Sequence, residues 1–544
     1  MASSSPPSSL SPADQLLELC ADATTSIQSE CLSVLSGSES PSTEHSLAGC
    51  GLALVDLLSR QAAQISVFYR DLRSANLAAA KTTPETRSLI SKRLEDILSI
   101  TYSRFYAYLF RDLPTCWRQL YTDASILKFC FNVVGSPYIY GGHLTSRGAA
   151  DSERPHGDGC ELGELVKVLD FALILAGAAG KQRGRSWING ALDLLHAVWA
   201  DSTPPESVPD IGQTRERSRP GQAPDSWPSD VGIEAGDTFS ADEPFGPPVR
   251  FPIKRVDALS MESFQAYIDN PRDTKLGPEP LIIRGSMENW PALTTNPWCR
   301  PSYLLSQTFG GRRLVPIEVG RSYVDEGWGQ KIVTFGEFLR EYIDPSLSRL
   351  QKESNHDGDS ASPSQTKPIA YLAQHPLFTQ LPALRKDILI PDYCYTAPPP
   401  HPTDPSIDQP ELDEPLLNAW FGPPGTITPL HNDPYHNILT QVVGRKYVRL
   451  YSPLNTERMQ ARGKENGVEM GNTSLLDVGV VEGWDMVGGG DEEGQPSRED
   501  TAAFRAVPFL DCILEPGEAL YIPIGWWHYV RGLSVSFSVS FWWN

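Results

Sequence analysis

No apolar run in this 544-residue sequence approaches the ~20 residues that cross a bilayer; the longest, Phe171 to Gly180, is about half of that. A membrane helix is therefore not expected. The nine cysteines are scattered and never form Cys-x-x-Cys, which sets aside a disulfide-stapled scaffold and reads as reduced thiols. The opening MASSSPPSSL has neither a basic n-region nor an apolar h-region, so the chain is expected to stay inside the cell. Basic residues are in deficit, 46 Lys and Arg against 67 Asp and Glu, a net charge of −21. Direct nucleic-acid binding needs a basic face and is not expected. Acidity favours encounter with a basic peptide or protein, or simply keeps the chain soluble.

What is present divides the chain in three. Residues 1–201 carry helical periodicity. Ser11-Pro12-Ala13-Asp14 supplies a capping hydroxyl, a proline at the first helical position and an early acid, ahead of Leu16, Leu19, Ala23 and Ile27. Thr83-Pro84-Glu85 repeats the device, and amphipathic stretches run near Leu52 to Arg70, Glu164 to Leu175 and Trp187 to Ala200. Residues 202–248 turn to Pro, Ser, Asp and Gly and read as a disordered linker. Residues 249–544 are mixed and then strongly β. Segments near 346–367 and 461–501 resemble the linker and read as poorly ordered surface insertions.

The β signal is clearest at the end. Leu533 to Phe541 alternates apolar and small polar residues, the period of a two-faced strand, and Tyr447 to Tyr451 and Ala519 to Ile522 add short strand-like runs. Pro423-Pro424-Gly425 and Pro516-Gly517-Glu518 are turns between strands, as in a jelly roll.

His-x-Asp occurs twice, and about one His-x-(Asp/Glu) is expected by chance, so context decides. His156-Gly157-Asp158 lies in a Gly-rich turn and reads as loop polarity. His431-Asn432-Asp433 lies between strand-like stretches, where residues two apart share a face, so both side chains can enter a barrel. His528, after Ile522-Pro523-Ile524-Gly525-Trp526-Trp527, is available as a third ligand. Two histidines and a carboxylate with open positions suit non-haem Fe(II) and its oxygen chemistry. Alternatively, His528 is a core histidine packed beside two tryptophans.

The run Asn418 to Gly422, Gly425 to Pro434, Asn437, Gly444 to Pro453, Pro516-Gly517-Glu518, Trp527 to Arg531 and Ser536 to Trp543 closely resembles the Jumonji-C (JmjC) family of 2-oxoglutarate-dependent oxygenases. The resemblance covers about Arg250 to Asn544, including Leu281 to Gly285 and Trp290-Pro291-Ala292. Together with the helical periodicity of residues 1–201, it gives an α + β chain: an all-helical N-terminal domain followed by what the resemblance implies, a double-stranded β-helix, the cupin-like jelly roll. It implies that His431, Asp433 and His528 hold Fe(II), with 2-oxoglutarate and O2 as cosubstrates and succinate and CO2 as products. It also implies that Lys446 meets the distal carboxylate of 2-oxoglutarate, helped by Thr428 and Tyr371, with Asn437 and Trp542 close by. Lys446 taken alone would read as a solvated strand lysine.

Glu318 and Trp420 match positions that border the substrate, a carboxylate and an aromatic face for a cation. Each is also ordinary as a surface Glu or a core Trp. The implied partner is a protein or peptide with basic residues, of the histone, ribosomal or chromatin-associated kind, with arginine favoured as the target. N-methyl-lysine demethylation by the same chemistry, a cupin-type enzyme that does not use 2-oxoglutarate, and a silent scaffold are the competing readings. Lys181 to Arg185 and Arg215 to Arg219 are too dilute to be nuclear signals, so nuclear or cytoplasmic placement rests on the resemblance, and nothing in the sequence fixes an oligomeric state.

Overall fold

The computed structural model describes residues 10–37, 46–73, 84–109, 112–136, 139, 159–180, 183–202, 238–325, 327–344, 369–465, 468–486 and 498–544. His156 to Asp158, Arg215 to Arg219, residues 203–237 of the expected linker and the whole 346–367 segment lie outside the described residues. The described residues form two compact units, one of residues 10–202 with 312–314 and one of residues 238–311 with 315–544.

The first unit is helical: α1 (Pro12–Leu35), α2 (Leu52–Arg73), α3 (Pro84–Phe105), α4 (Thr115–Gly135), α5 (Gly159–Ala176) and α6 (Gly184–Ser202). Ser11 caps α1 as its sequence predicts, its hydroxyl accepting the Asp14 N–H at 3.1 Å. Sequence periodicity did not reveal α4. Fifteen of its 21 residues are buried, so it has no polar stripe to give a helical period. Arg183, from the dilute basic cluster, is itself buried and pairs with Asp123 at 3.0 Å and with Glu30 at 2.5 Å. Among the described residues no helix is long and apolar enough to cross a membrane.

The second unit is built from β1 (Arg255–Asp257), β2 (Leu281–Arg284), β3 (Leu314–Val319), β4 (Gly329–Thr334), β5 (Ala370–His375), β6 (Leu416–Gly422), β7 (Ile427–His431), β8 (His436–Val443), β9 (Lys446–Tyr451), β10 (Lys464–Glu465), β11 (Val468–Glu469), β12 (Phe509–Leu514), β13 (Glu518–Ile522), β14 (Trp527–Gly532) and β15 (Ser536–Trp543). A nine-stranded sheet runs β1-β2-β13-β8-β15-β6-β5-β3-β4, and a four-stranded sheet runs β12-β9-β14-β7. This is the expected jelly roll.

Strand alternation explains the layers. On β15, Phe537, Val539, Phe541 and Trp543 join a core with Phe264, Trp290, Trp298 and Phe338, while Ser538 and Ser540 face the other way and bond Gln441 and Trp420. On β9, Val448 and Leu450 pack with Leu439, Leu520 and Ile522, whereas Tyr447 and Tyr451 join a separate cluster on the other face.

Two boundaries need correction. Phe239 is buried in the second unit's core and donates its N–H to the Cys299 carbonyl at 2.9 Å, so the packed unit begins before residue 249. The 461–501 stretch is not a disordered insertion where it is described. Leu476, Val478 and Val481 are buried against Tyr447, Tyr451, Trp527 and Tyr529, and Asp477 caps the short helix Val478–Glu482. A few apolar residues suffice because the outer face of the four-stranded sheet offers large aromatic partners.

Candidate metal centre

His431 ends β7 and His528 lies near the start of β14, and the two are direct partners in the antiparallel register, with a bulge just beyond His528. Their ring centroids are 4.1 Å apart. Asp433 follows two residues after His431, with its oxygens 3.8 Å from His431 Nε2 and 3.5 Å from His528 Nε2. Ligand atoms of all three lie within 4.8 Å of one another.

Hydrogen bonding sets the tautomers. His431 Nδ1 is 2.8 Å from the Pro429 carbonyl and His528 Nδ1 is 3.0 Å from the Trp526 carbonyl. A carbonyl only accepts, so both Nδ1 atoms carry the proton and both Nε2 lone pairs face Asp433. Burial, then the neighbouring His431, pushes the His528 pKa well below its ordinary value, which keeps the ring neutral as a metal ligand must be. Burial raises the Asp433 carboxyl, so its ionised form gains from any cation placed there. Two neutral imidazoles and one carboxylate, with the rest of the coordination sphere left to small molecules, are a donor set that fits Fe(II).

One cavity joins this cluster to Lys446, Tyr371, Thr428, Trp420 and Asn437, with Leu439, Ile522 and Val530 as its apolar wall. Gly444 makes the approach to Lys446 possible: its φ is +63°, and a Cβ there would lie 1.9 Å from the Val535 carbonyl oxygen. Lys446 is only 1% exposed. Its Nζ donates to Tyr371 Oη at 3.1 Å and to the Trp420 carbonyl at 3.3 Å, and no carboxylate pairs with it among the described residues. Burial lowers its pKa to about 7. A buried cation held by neutral oxygens is a receptor for an anion. Asn437 adds a buried Oδ1 without a hydrogen-bond partner, and Thr428 bonds the Tyr371 hydroxyl. These groups fit a dianionic cosubstrate.

Of the remaining sequence-predicted residues, Trp420 lines this cavity, whereas Trp542 and Glu318 are not among its lining residues. Trp542 is the register partner of Asn437, but its ring stacks on Tyr435 at 5.7 Å and is not part of the cavity wall. Trp420 lines the Lys446 end, 6.1 Å from the Tyr371 ring, with its indole N–H on Ser540. It thus lies at the same end of the cavity as Lys446 and Tyr371. Glu318, opposite Tyr371 in the β3–β5 register, accepts from Trp328 Nε1 at 3.3 Å, and burial raises its carboxyl pKa.

Sequence reasoning missed the segment after Ala461 as a neighbour of the site. Thr473 bridges His431, Asn432 donates its N–H to the Asn472 carbonyl, and Tyr323 Oη lies 3.3 Å from Thr473 Oγ1. Arg321 ties this segment down through Asp477 and Asp485, and also pairs with Asp325 four residues on. The run of Gly and Glu in that stretch hides these contacts.

The family model for the cupin-like domain matches residues 270–544, just over half of the chain. Among curated proteins, the chain is 39% identical over 297 residues to lysine-specific demethylase 8 of Danio rerio, covering 55% of this chain and 60% of that protein. It is 40% identical over 291 residues to lysine-specific demethylase JMJ30 of Arabidopsis thaliana, covering 54% and 55% respectively. Lysine-specific demethylase 8 of Xenopus tropicalis is 37% identical over 293 residues, with 54% and 53% covered. The chain belongs to the cupin-like family, as a Jumonji-C member. It spans between 53 and 60% of the length of these relatives.

Proposed function

We propose that this chain is an Fe(II)- and 2-oxoglutarate-dependent protein oxygenase that hydroxylates a basic side chain, arginine by preference, of an intracellular protein substrate. The observation that carries the reading is the fully buried, carboxylate-free Lys446 opening on the same cavity as His431, Asp433 and His528. A solvated strand lysine would have no reason to be buried there.

In this reading Fe(II) with bound 2-oxoglutarate supplies O2 activation, yielding succinate and CO2 as the substrate is oxidised. The protein's own residues bind and orient. His431, Asp433 and His528 hold the ion. Lys446 pairs with the distal carboxylate, and the Thr428 and Tyr371 hydroxyls complete its hydrogen bonding. Leu439, Ile522 and Val530 keep water from the reacting end. Glu318 offers a partly desolvated carboxylate to a guanidinium.

The names of the relatives favour a second reading, N-methyl-lysine demethylation. Arginine remains preferred because the cavity wall contains one large aromatic, Trp420, besides Tyr371, and no cage of rings for a methylammonium. Incubation with arginine peptides and with methyl-lysine peptides, read by mass spectrometry, separates the two. Gain of one oxygen on an arginine peptide supports hydroxylation. Loss of methyl with formaldehyde release, and no oxygen gain on any arginine peptide, supports demethylation.

A further inference from the structure

A second concavity of about 520 Å³ lies beside the metal centre in the same unit. Its lining residues are chain neighbours of the cavity wall at three points: Pro434 follows Asp433, His436 precedes Asn437, and Ile524 lies two beyond Ile522. Its lining includes the run Pro398 to Pro400 and Pro434, with Tyr395, 63% exposed, close in the chain.

Two stretches of the lining are fixed. Neutral His436 spans the gap between Tyr521 Oη at 2.8 Å and the Pro399 carbonyl at 2.9 Å, which holds the proline run. Asn544 holds the 409–412 stretch, its side chain donating to the Gln409 and Pro410 carbonyls and accepting the Leu412 N–H. A groove so held loses little entropy on binding a ligand.

Its charge is one-sided. From Asp387 to Gly444 the sequence has no Lys or Arg, against eight Asp and Glu. Asp408 and Glu411 from this run line the groove itself. A proline-lined concavity braced by His436 and Asn544, with an exposed tyrosine and, among its lining residues, only acidic charge, complements an extended chain bearing Lys or Arg.

We propose that this groove holds a basic, extended segment of the protein substrate, a few residues along from the side chain that enters the metal cavity. The word substrate rests on the oxygenase reading; the basic peptide as occupant rests on the groove alone. The groove would set which sequence context is accepted, while the cavity sets which side chain reacts.

The test uses the full chain and two fluorescein-labelled peptides of equal length, each with one central arginine, one flanked by lysines and the other by glutamines. Anisotropy without 2-oxoglutarate measures binding independently of turnover. The lysine-flanked peptide should bind the double variant Tyr395→Ala, Glu411→Lys about tenfold more weakly than the unaltered chain, and Glu411→Gln alone by a smaller factor. Added salt should erase most of the effect of Glu411→Gln, and the glutamine-flanked peptide should not distinguish Glu411→Gln from the unaltered chain. Equal binding of the lysine-flanked peptide to all three proteins, or no binding to any, would overturn the proposal. So would sedimentation showing that the double variant breaks up a dimer, which would make a second copy of the chain the occupant. If the peptide binds as expected but no succinate forms, the groove stands and the oxygenase reading falls.

Discussion

His431 and His528 are register partners on β7 and β14, and each gives its Nδ1 proton to the carbonyl of the residue two before it, Pro429 and Trp526. The backbone thus fixes both ring orientations before any ion arrives, and Asp433 needs only to follow by two residues. His431→Ala or Asp433→Ala should therefore abolish the rise in Tm on adding Fe(II) while shifting the metal-free Tm by no more than about 3 °C. His156→Ala should do neither. A full metal-dependent rise in either of the first two variants would remove the triad from the account.

Lys446→Ala should raise the 2-oxoglutarate concentration needed for half-maximal turnover by about 10- to 100-fold, the worth of one charge-assisted contact, with Fe(II) affinity unchanged. Titrating both ligands against wild type and variant checks this. Unchanged cosubstrate dependence would shift the anion site to another cation, with Arg445 and Arg449 next to test.

The same lysine gives a pH signature. Its folded pKa is lowered by burial to about 7 from an ordinary value of 10.5. Between these values the unfolded chain binds the extra proton, so stability should climb as pH rises through that window. Relative to Lys446→Met, the unliganded wild type should gain Tm between pH 7 and about pH 9.5. A dianion bound at the ammonium requires the proton back, so stabilisation by 2-oxoglutarate should shrink over the same interval. A flat difference between the two proteins would show that Lys446 titrates normally.

Leu476 tests the segment after Ala461. It is 1% exposed, beneath Tyr447, Tyr451 and Trp527. Leu476→Ala should cost about 2 to 5 kcal/mol in urea denaturation, the range for emptying a core leucine site. A surface insertion would give a change within about 0.5 kcal/mol.

Much of this geometry is legible in the sequence because strands impose a period of two. His431 and Asp433 flank one residue at a strand end, and the alternation from Ser536 to Phe541 gives a strand with an apolar face and a serine face. What escapes sequence reading depends on contacts rather than period. Helix α4 is buried on nearly all sides and shows no amphipathic stripe. Trp542 has the right strand position, but its ring is drawn onto Tyr435. Leu476, Val478 and Val481 are thinly spread among glycines and acids, and only the aromatic sheet face beneath them makes that stretch part of the core.

In the proposed function, the His431, Asp433 and His528 cluster and Lys446 act on one 2-oxoglutarate molecule to oxidise a basic peptide. The most direct measurement is succinate release by the full chain with Fe(II), 2-oxoglutarate and an arginine-containing peptide, run beside Asp433→Ala and Lys446→Ala. Wild type should release peptide-stimulated succinate, Asp433→Ala none, and Lys446→Ala should recover only at high 2-oxoglutarate. Succinate at wild-type levels from Asp433→Ala, or none from wild type with any basic peptide, would contradict that function.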